Sequence, residues 1–224
     1  MCRRTQVGLL KHYTKKIYRK KEISMATEFR GCKGLVYAEV IKDNNETGES
    51  NGYVVGTVKP LAPVAEISKS VETSSEAHYY DNGAAIVINS EGSDTVTFTI
   101  AVPDDETLAD ITGRTYDSTK KMFIESKRVE KYFAVGYILG EKGEGEDERY
   151  VWRYKGKFNI PDETAATEDD GTDANNMSLE YTGIYTDHIF TNGKGTGKAG
   201  NAKAAYIRES ANIATAEEWF AGVS

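Results

Sequence analysis

The residues best suited to chemistry in this chain of 224 residues are three histidines, two cysteines, one Gly-Lys-rich segment and several carboxylate clusters. His12, His78 and His188 each stand alone, with no second His or Cys at the short spacing that a zinc site requires. No Gly-x-Ser-x-Gly elbow accompanies them to supply a serine nucleophile. Cys2 and Cys32 also lack metal-ligand spacing and are expected to be free thiols in a reducing compartment. Gly193-Lys194-Gly195-Thr196-Gly197-Lys198 has the composition of a phosphate loop, but such a loop runs Gly, four residues, then Gly-Lys-Ser/Thr. Here Ala199 follows the lysine, so a flexible polar loop is expected. The clusters Glu144–Glu148 and Glu168–Asp173 could attract calcium. Asp169-Asp170-Gly171-Thr172-Asp173, however, lacks the ordered ligands of an EF-hand, and solvated loops are expected there. No carboxylate pair sits in an apolar setting that would tune it for acid catalysis. The expectation is a protein with no catalytic, cofactor-binding or metal-ligating residue, and not an enzyme.

One stripe could recognise a ligand without catalysis. In Arg149–Phe158, alternation places Tyr150, Trp152, Tyr154 and Phe158 on one face and Val151, Arg153 and Lys155 on the other. Such rings could stack bases, but a one-sided aromatic stripe in a strand reads first as core.

The composition suits strands and turns. Hydrophobic residues are only 39%, while glycine (21) and tyrosine (14) are abundant. A chain of this length buries roughly 70% of its unfolded surface, so it needs no metal or disulfide to fold. No apolar run approaches the ~20 residues that span a bilayer, and no secretory signal is recognisable. Residues 1–24 carry a net charge of +7 and residues 25–224 a net charge of −14. An acidic body does not grip phosphates, although it suits a surface past which nucleic acid slides. The basic segment could be a nucleic-acid-binding arm. A duller expectation is preferred: Lys21-Glu22 can be encoded as a ribosome-binding sequence spaced for initiation at Met25. Residues 1–24 are then an untranslated leader or a disordered basic extension, and 25–224 form one β domain.

These residues sit in a succession of strands and turns. Alternation and turn chemistry predict strands at Leu35–Ile41, Tyr53–Val58, Val64–Glu72, His78–Tyr80, Ala84–Asn89, Asp94–Val102, Lys121–Ile124, Lys131–Leu139, Arg149–Phe158 and Ser178–Tyr185. In Val64–Glu72, Ala65, Ile67 and Val71 are expected on one face and Glu66, Ser68 and Ser70 on the other. The strongest period-two signal has Val96, Phe98 and Ile100 on one face and Thr95, Thr97 and Thr99 on the other. Turns are expected at Asp81-Asn82-Gly83 and Ser90–Ser93, and polar loops at 43–52, 140–148, 162–176 and 191–203. Pro103 and the acids Asp104, Asp105 and Glu106 predict a helix ending at Gly113. A short C-terminal helix is expected at Thr215–Phe220. The fold class expected is mainly β: a sandwich or barrel with one flanking helix and a short C-terminal helix.

Several segments, in order, resemble the major tail proteins of long-tailed bacteriophages. Gly31-Cys32-Lys33-Gly34-Leu35-Val36-Tyr37-Ala38-Glu39-Val40 is similar to that family's first strand. Ile67-Ser68-Lys69-Ser70-Val71-Glu72 with His78-Tyr79-Tyr80-Asp81-Asn82-Gly83 is similar to a further stretch of that family, and Pro103–Gly113 falls where it has a helix. Tyr150-Val151-Trp152-Arg153-Tyr154-Lys155-Gly156-Lys157-Phe158 looks most like it; Leu179-Glu180-Tyr181-Thr182-Gly183 and Trp219-Phe220 complete the series. The resemblance covers about residues 31–224 and departs at 191–203. It implies a structural virion protein with no catalytic activity: a tail tube subunit whose hexameric rings stack into the conduit for genome delivery. It also implies an acidic lumen that double-stranded DNA passes without specific binding, and neighbours that include tape-measure, tail terminator and distal tail proteins. Assembly would occur in the bacterial host cytoplasm and the product would reside in the virion tail, with no membrane partner. Loops 43–52, 140–148 and 162–176 are then candidates for ring stacking. Two alternatives remain: the inner tube of a contractile tail or type VI-like secretion apparatus, and a carbohydrate-binding surface β-sandwich.

Overall fold

The alternating stretch Thr95–Ile100 marks the part of the sequence that most constrains the fold. Val96, Phe98 and Ile100 are completely buried, and the intervening threonines face away from them. In the computed structural model, residues 28–45, 52–80, 83–142, 148–162, 176–190 and 200–208 are described. Among these the protein is mainly β, with antiparallel pairing throughout and one α-helix. The elements are β1 (Glu28–Asp43), β2 (Tyr53–Val55), β3 (Lys59–Pro60), β4 (Val64–Tyr80), β5 (Gly83–Ala101), α1 (Asp105–Thr112), β6 (Thr115–Asp117), β7 (Met122–Ile124), β8 (Phe133–Lys142), β9 (Glu148–Phe158), β10 (Asn176–Gly183) and β11 (Ala204–Arg208).

The main sheet runs β2-β1-β8-β9-β10-β5-β4, with β3 added to β1 and β11 to β9. One edge of β9 is shared: β11 pairs with Arg149–Arg153 and β10 with Gly156–Phe158. The main core joins both halves of the sheet. It brings Leu35, Tyr37, Val135 and Phe133 from β1 and β8 against Phe98, Ile100 and Leu179 from β5 and β10. The sheet is therefore folded back across its own apolar face, with Ile111 of α1 in the same core. A second core covers the opposite face of β1, β8 and β9, built on Tyr53, Ala134, Ile138, Trp152 and Tyr154.

Helix α1 begins and ends as its residues dictate. The Asp104 side chain accepts a hydrogen bond from the Thr107 N–H (3.1 Å), and Asp105 and Glu106 occupy the first turn. Gly113 closes it in the left-handed region (φ 68°), and a Cβ there would meet the Val129 carbonyl oxygen at 2.0 Å.

The structure corrects several sequence expectations. The segments 64–72 and 78–80 are one strand, β4, and no turn occurs at Ser90–Ser93, because β5 runs unbroken from Gly83 to Ala101. A register shift between Val64 and Glu66 turns Val64 inward and leaves Ala65 exposed, and Val71 is exposed as well. Phe158 does not share a face with Tyr150, Trp152 and Tyr154. The pairing Phe133↔Gly156 followed by Val135↔Arg153 inserts an extra residue in β9, which sends Phe158 into the main core. Strands β3, β6 and β11 were not foreseen. Residues 1–24 and the expected C-terminal helix lie outside the described residues.

Candidate assembly surface

The longest feature outside the cores is the β4–β5 hairpin. β10 pairs with β5 only from Asp94 to Ala101, whereas β4 and β5 remain paired out to Tyr80 and Gly83. Val71–Ala77 and Val87–Gly92 are all exposed. Beyond Asp94 the hairpin is therefore a two-stranded arm, and neither of its outer edges has a strand partner among the described residues. Val87 (57% exposed) and Ile88 (53%) are adjacent in sequence, so the arm presents apolar groups on both faces. A two-stranded ribbon is marginal alone in water, and free strand edges are templates for pairing with another chain.

The arm leaves the sheet at a buried charge cluster. The Asp94 carboxylate, 3% exposed, receives Lys69 Nζ at 2.8 Å, Lys203 Nζ at 3.0 Å and the Arg153 guanidinium at 3.2 Å. Lys203 also donates to Glu91 Oε1 (2.7 Å) and to the Gly92 carbonyl. Arg153, itself buried, donates from Nε and Nη2 to the Tyr137 hydroxyl, each at 3.2 Å. Burial pushes the Asp94 carboxyl up. Lys69 and Lys203 outweigh that effect and hold its pKa below the usual carboxylate range. The β4 register shift between Val71 and Thr73 lies at the same level of the hairpin.

A second cluster ties the end of β1 to the region before β11. Asp43 accepts hydrogen bonds from Lys155 Nζ (2.6 Å) and from the N–H groups of Asp187 (2.9 Å) and His188 (2.8 Å). Burial raises the Asp43 carboxyl, but these three donors together lower it further than burial raises it. Asp43, expected in a polar loop, is thus the end of β1 and the centre of a network.

The outer face of β4, β5 and β10 has a different character. Its rungs are Glu66–Thr99–Ser178, Ser68–Thr97–Glu180 and Ser70–Thr95–Thr182, every position a hydroxyl or a carboxylate. None of these side chains is buried. Lys157 adjoins Thr182 and is paired with Glu130.

The structure places the expected chemistry-bearing residues apart. His78 lies in the arm, while His188 is buried with its ring against Phe190. Among the described residues no group of three or more His, Cys, Asp and Glu could hold a metal. Cys32 is a free thiol. Tyr150, Trp152, Tyr154 and Phe158 are all buried, so none of these four rings is free to stack on a base. The Gly193–Lys198 segment and the Glu168–Asp173 cluster lie outside the described residues, as does most of Glu144–Glu148. Of the loops 43–52, 140–148, 162–176 and 191–203, only the flanks are described. Those flanks correct the expected limits: Gly140–Lys142 belong to β8, Glu148 to β9 and Lys203 is buried. Sequence reasoning missed Asp94, Arg153 and Lys203 as a unit. The available signal was Arg153, a basic residue between aromatic side chains in a strand pattern; Lys203 fell in an expected loop and gave none. Among the described residues no helix is long and apolar enough to cross a membrane. Compared with known proteins, the chain matches no family model and no curated protein.

Proposed function

We propose that this protein is a structural virion subunit of a phage tail tube, in which copies join side by side into rings, hexameric by the family resemblance. The rings stack into a conduit for double-stranded DNA. The observation that carries the reading is the β4–β5 arm, long, exposed on both faces and unpaired along both edges among the described residues. Neighbouring copies would cover it, extending one sheet into the next by strand addition or packing on its apolar groups. The ladder of hydroxyls and carboxylates on β4, β5 and β10 supports the same reading. Its nine positions carry no cation, and the lysine that continues the last rung, Lys157, is paired with Glu130; this is the side we assign to the bore. A folded-back sheet with a flanking helix is consistent with the sandwich architecture of such subunits. In the virion its further contacts would be with tape-measure, terminator and distal tail proteins.

Negative-stain microscopy of the chain purified from Met25 tests the proposal. Rings or tubes on the order of a hundred ångströms across are expected for a ring of domains of this size. A particle that remains monomeric at high concentration, by light scattering and by microscopy, would overturn it.

A further inference from the structure

The charge cluster at the base of the arm brings together four parts of the chain: β4 through Lys69, β5 through Glu91 and Asp94, β9 through Arg153, and the residue preceding β11 through Lys203. Asp94 is also the last residue of β5 that pairs with β10, opposite Gly183. The body thus stops supporting the hairpin where the ions converge. The same level carries the β4 register shift, a point at which a ribbon can bend. Gly92 lies beside it, and a Cβ there would meet Glu72 Oε2 at 2.9 Å. Lys203 is held in place by its own backbone, because its carbonyl accepts from the Tyr154 N–H (3.0 Å) as β11 docks on β9.

From this convergence we infer that Asp94, Lys69, Arg153 and Lys203 form an orientation joint. The joint fixes the direction in which the β4–β5 arm leaves the body and couples that direction to the docking of β11. Beyond Asp94 the ribbon has no third strand among the described residues, so the side chains at its base add to the continuity of β4 and β5 in holding its angle. The ion set, buried at Asp94, Arg153 and Lys203 and exposed at Lys69, contributes geometry rather than net stability, since desolvating charges offsets much of their attraction. The value of a fixed direction rests on the assembly reading above, but the joint itself is a property of the single subunit.

The test is a distance measurement by electron spin resonance on the isolated, unassembled subunit. Spin labels are attached at Ser75→Cys on the arm and Lys120→Cys on the body, in a background carrying Cys2→Ser and Cys32→Ser. The unmodified cluster should give one narrow distance peak. Lys203→Met should lose that narrow peak while keeping cooperative unfolding, because Asp94 retains Lys69 and Arg153. Lys203→Arg should restore it. Lys157→Met, which breaks a pair away from the arm, should leave it intact. A narrow peak persisting in folded Lys203→Met would overturn the joint. Asp94→Asn, where it folds, should broaden the distribution further. The measurement does not depend on ring formation, so a subunit that never assembles would sink the proposed function and leave this result readable.

Discussion

At the residue scale, two of the three described glycines with positive φ, Gly31 and Gly113, make opposite predictions about space. Gly31 (φ 90°) has nothing within 4 Å of a hypothetical Cβ, whereas at Gly113 (φ 68°) that atom collides with the Val129 backbone. Gly31→Ala should therefore cost about 1 kcal/mol, the backbone strain alone. Gly113→Ala should cost clearly more, as compared by denaturant midpoints, because α1 or the 125–130 segment must shift. The buried cluster gives a pH prediction. Asp94 and Asp43 have folded pKa values below the unfolded value of about 3.9. Their contribution is therefore complete above that value and is lost as pH falls through the lowered folded values. The thermal midpoint should drop as pH falls below about 4, and Asp94→Asn should flatten that slope. Replacing Arg153 by Met leaves Asp94 with Lys69 and Lys203 but removes one of its cations and the donors to the buried Tyr137 hydroxyl, and should destabilise by about 1–3 kcal/mol.

At the element scale, a strand is legible in sequence where one face meets a core and the other meets water. Val96, Phe98 and Ile100 satisfy that condition, and β5 was foreseen there. The helix was equally readable, since Asp104, Asp105, Glu106 and Gly113 each serve a local backbone need. In the arm neither face is buried, so Ser74, Ser75, Ser90 and Gly92 carry no alternation, and Ser90–Ser93 imitates a turn. β9 failed differently: one inserted residue reverses its facing, and single-strand periodicity holds no record of its partner's register. The buried ion cluster was invisible because its members are distant in sequence. The arm itself predicts an exchange pattern. Its amides should exchange with solvent faster than those of Val96–Ile100 in the free subunit, and should slow on assembly. Replacing Ser74–Ser90 by an Asn-Gly turn, which suits a two-residue hairpin, should preserve the thermal midpoint and abolish tubes, read by sedimentation and microscopy.

At the scale of the whole molecule, the fold separates what must be stable from what is offered outward. Both cores lie within the folded-back sheet, and the arm and the hydroxyl ladder lie outside them. If the ladder lines a bore, Glu66→Lys with Glu180→Lys should leave tubes intact but make them retain labelled duplex DNA at low salt, with release as salt rises. Wild-type tubes should retain none under the same conditions. The ladder has a mechanical consequence as well. Short hydroxyls and carboxylates in register suit a hydrated surface, and they offer no grease for a base to rest on, while the lysine that continues the last rung, Lys157, is paired with Glu130. If that face lines a bore, anything drawn along it would shear water against water, and three rungs of serine, threonine and glutamate would act as a lubricant written into the pleat.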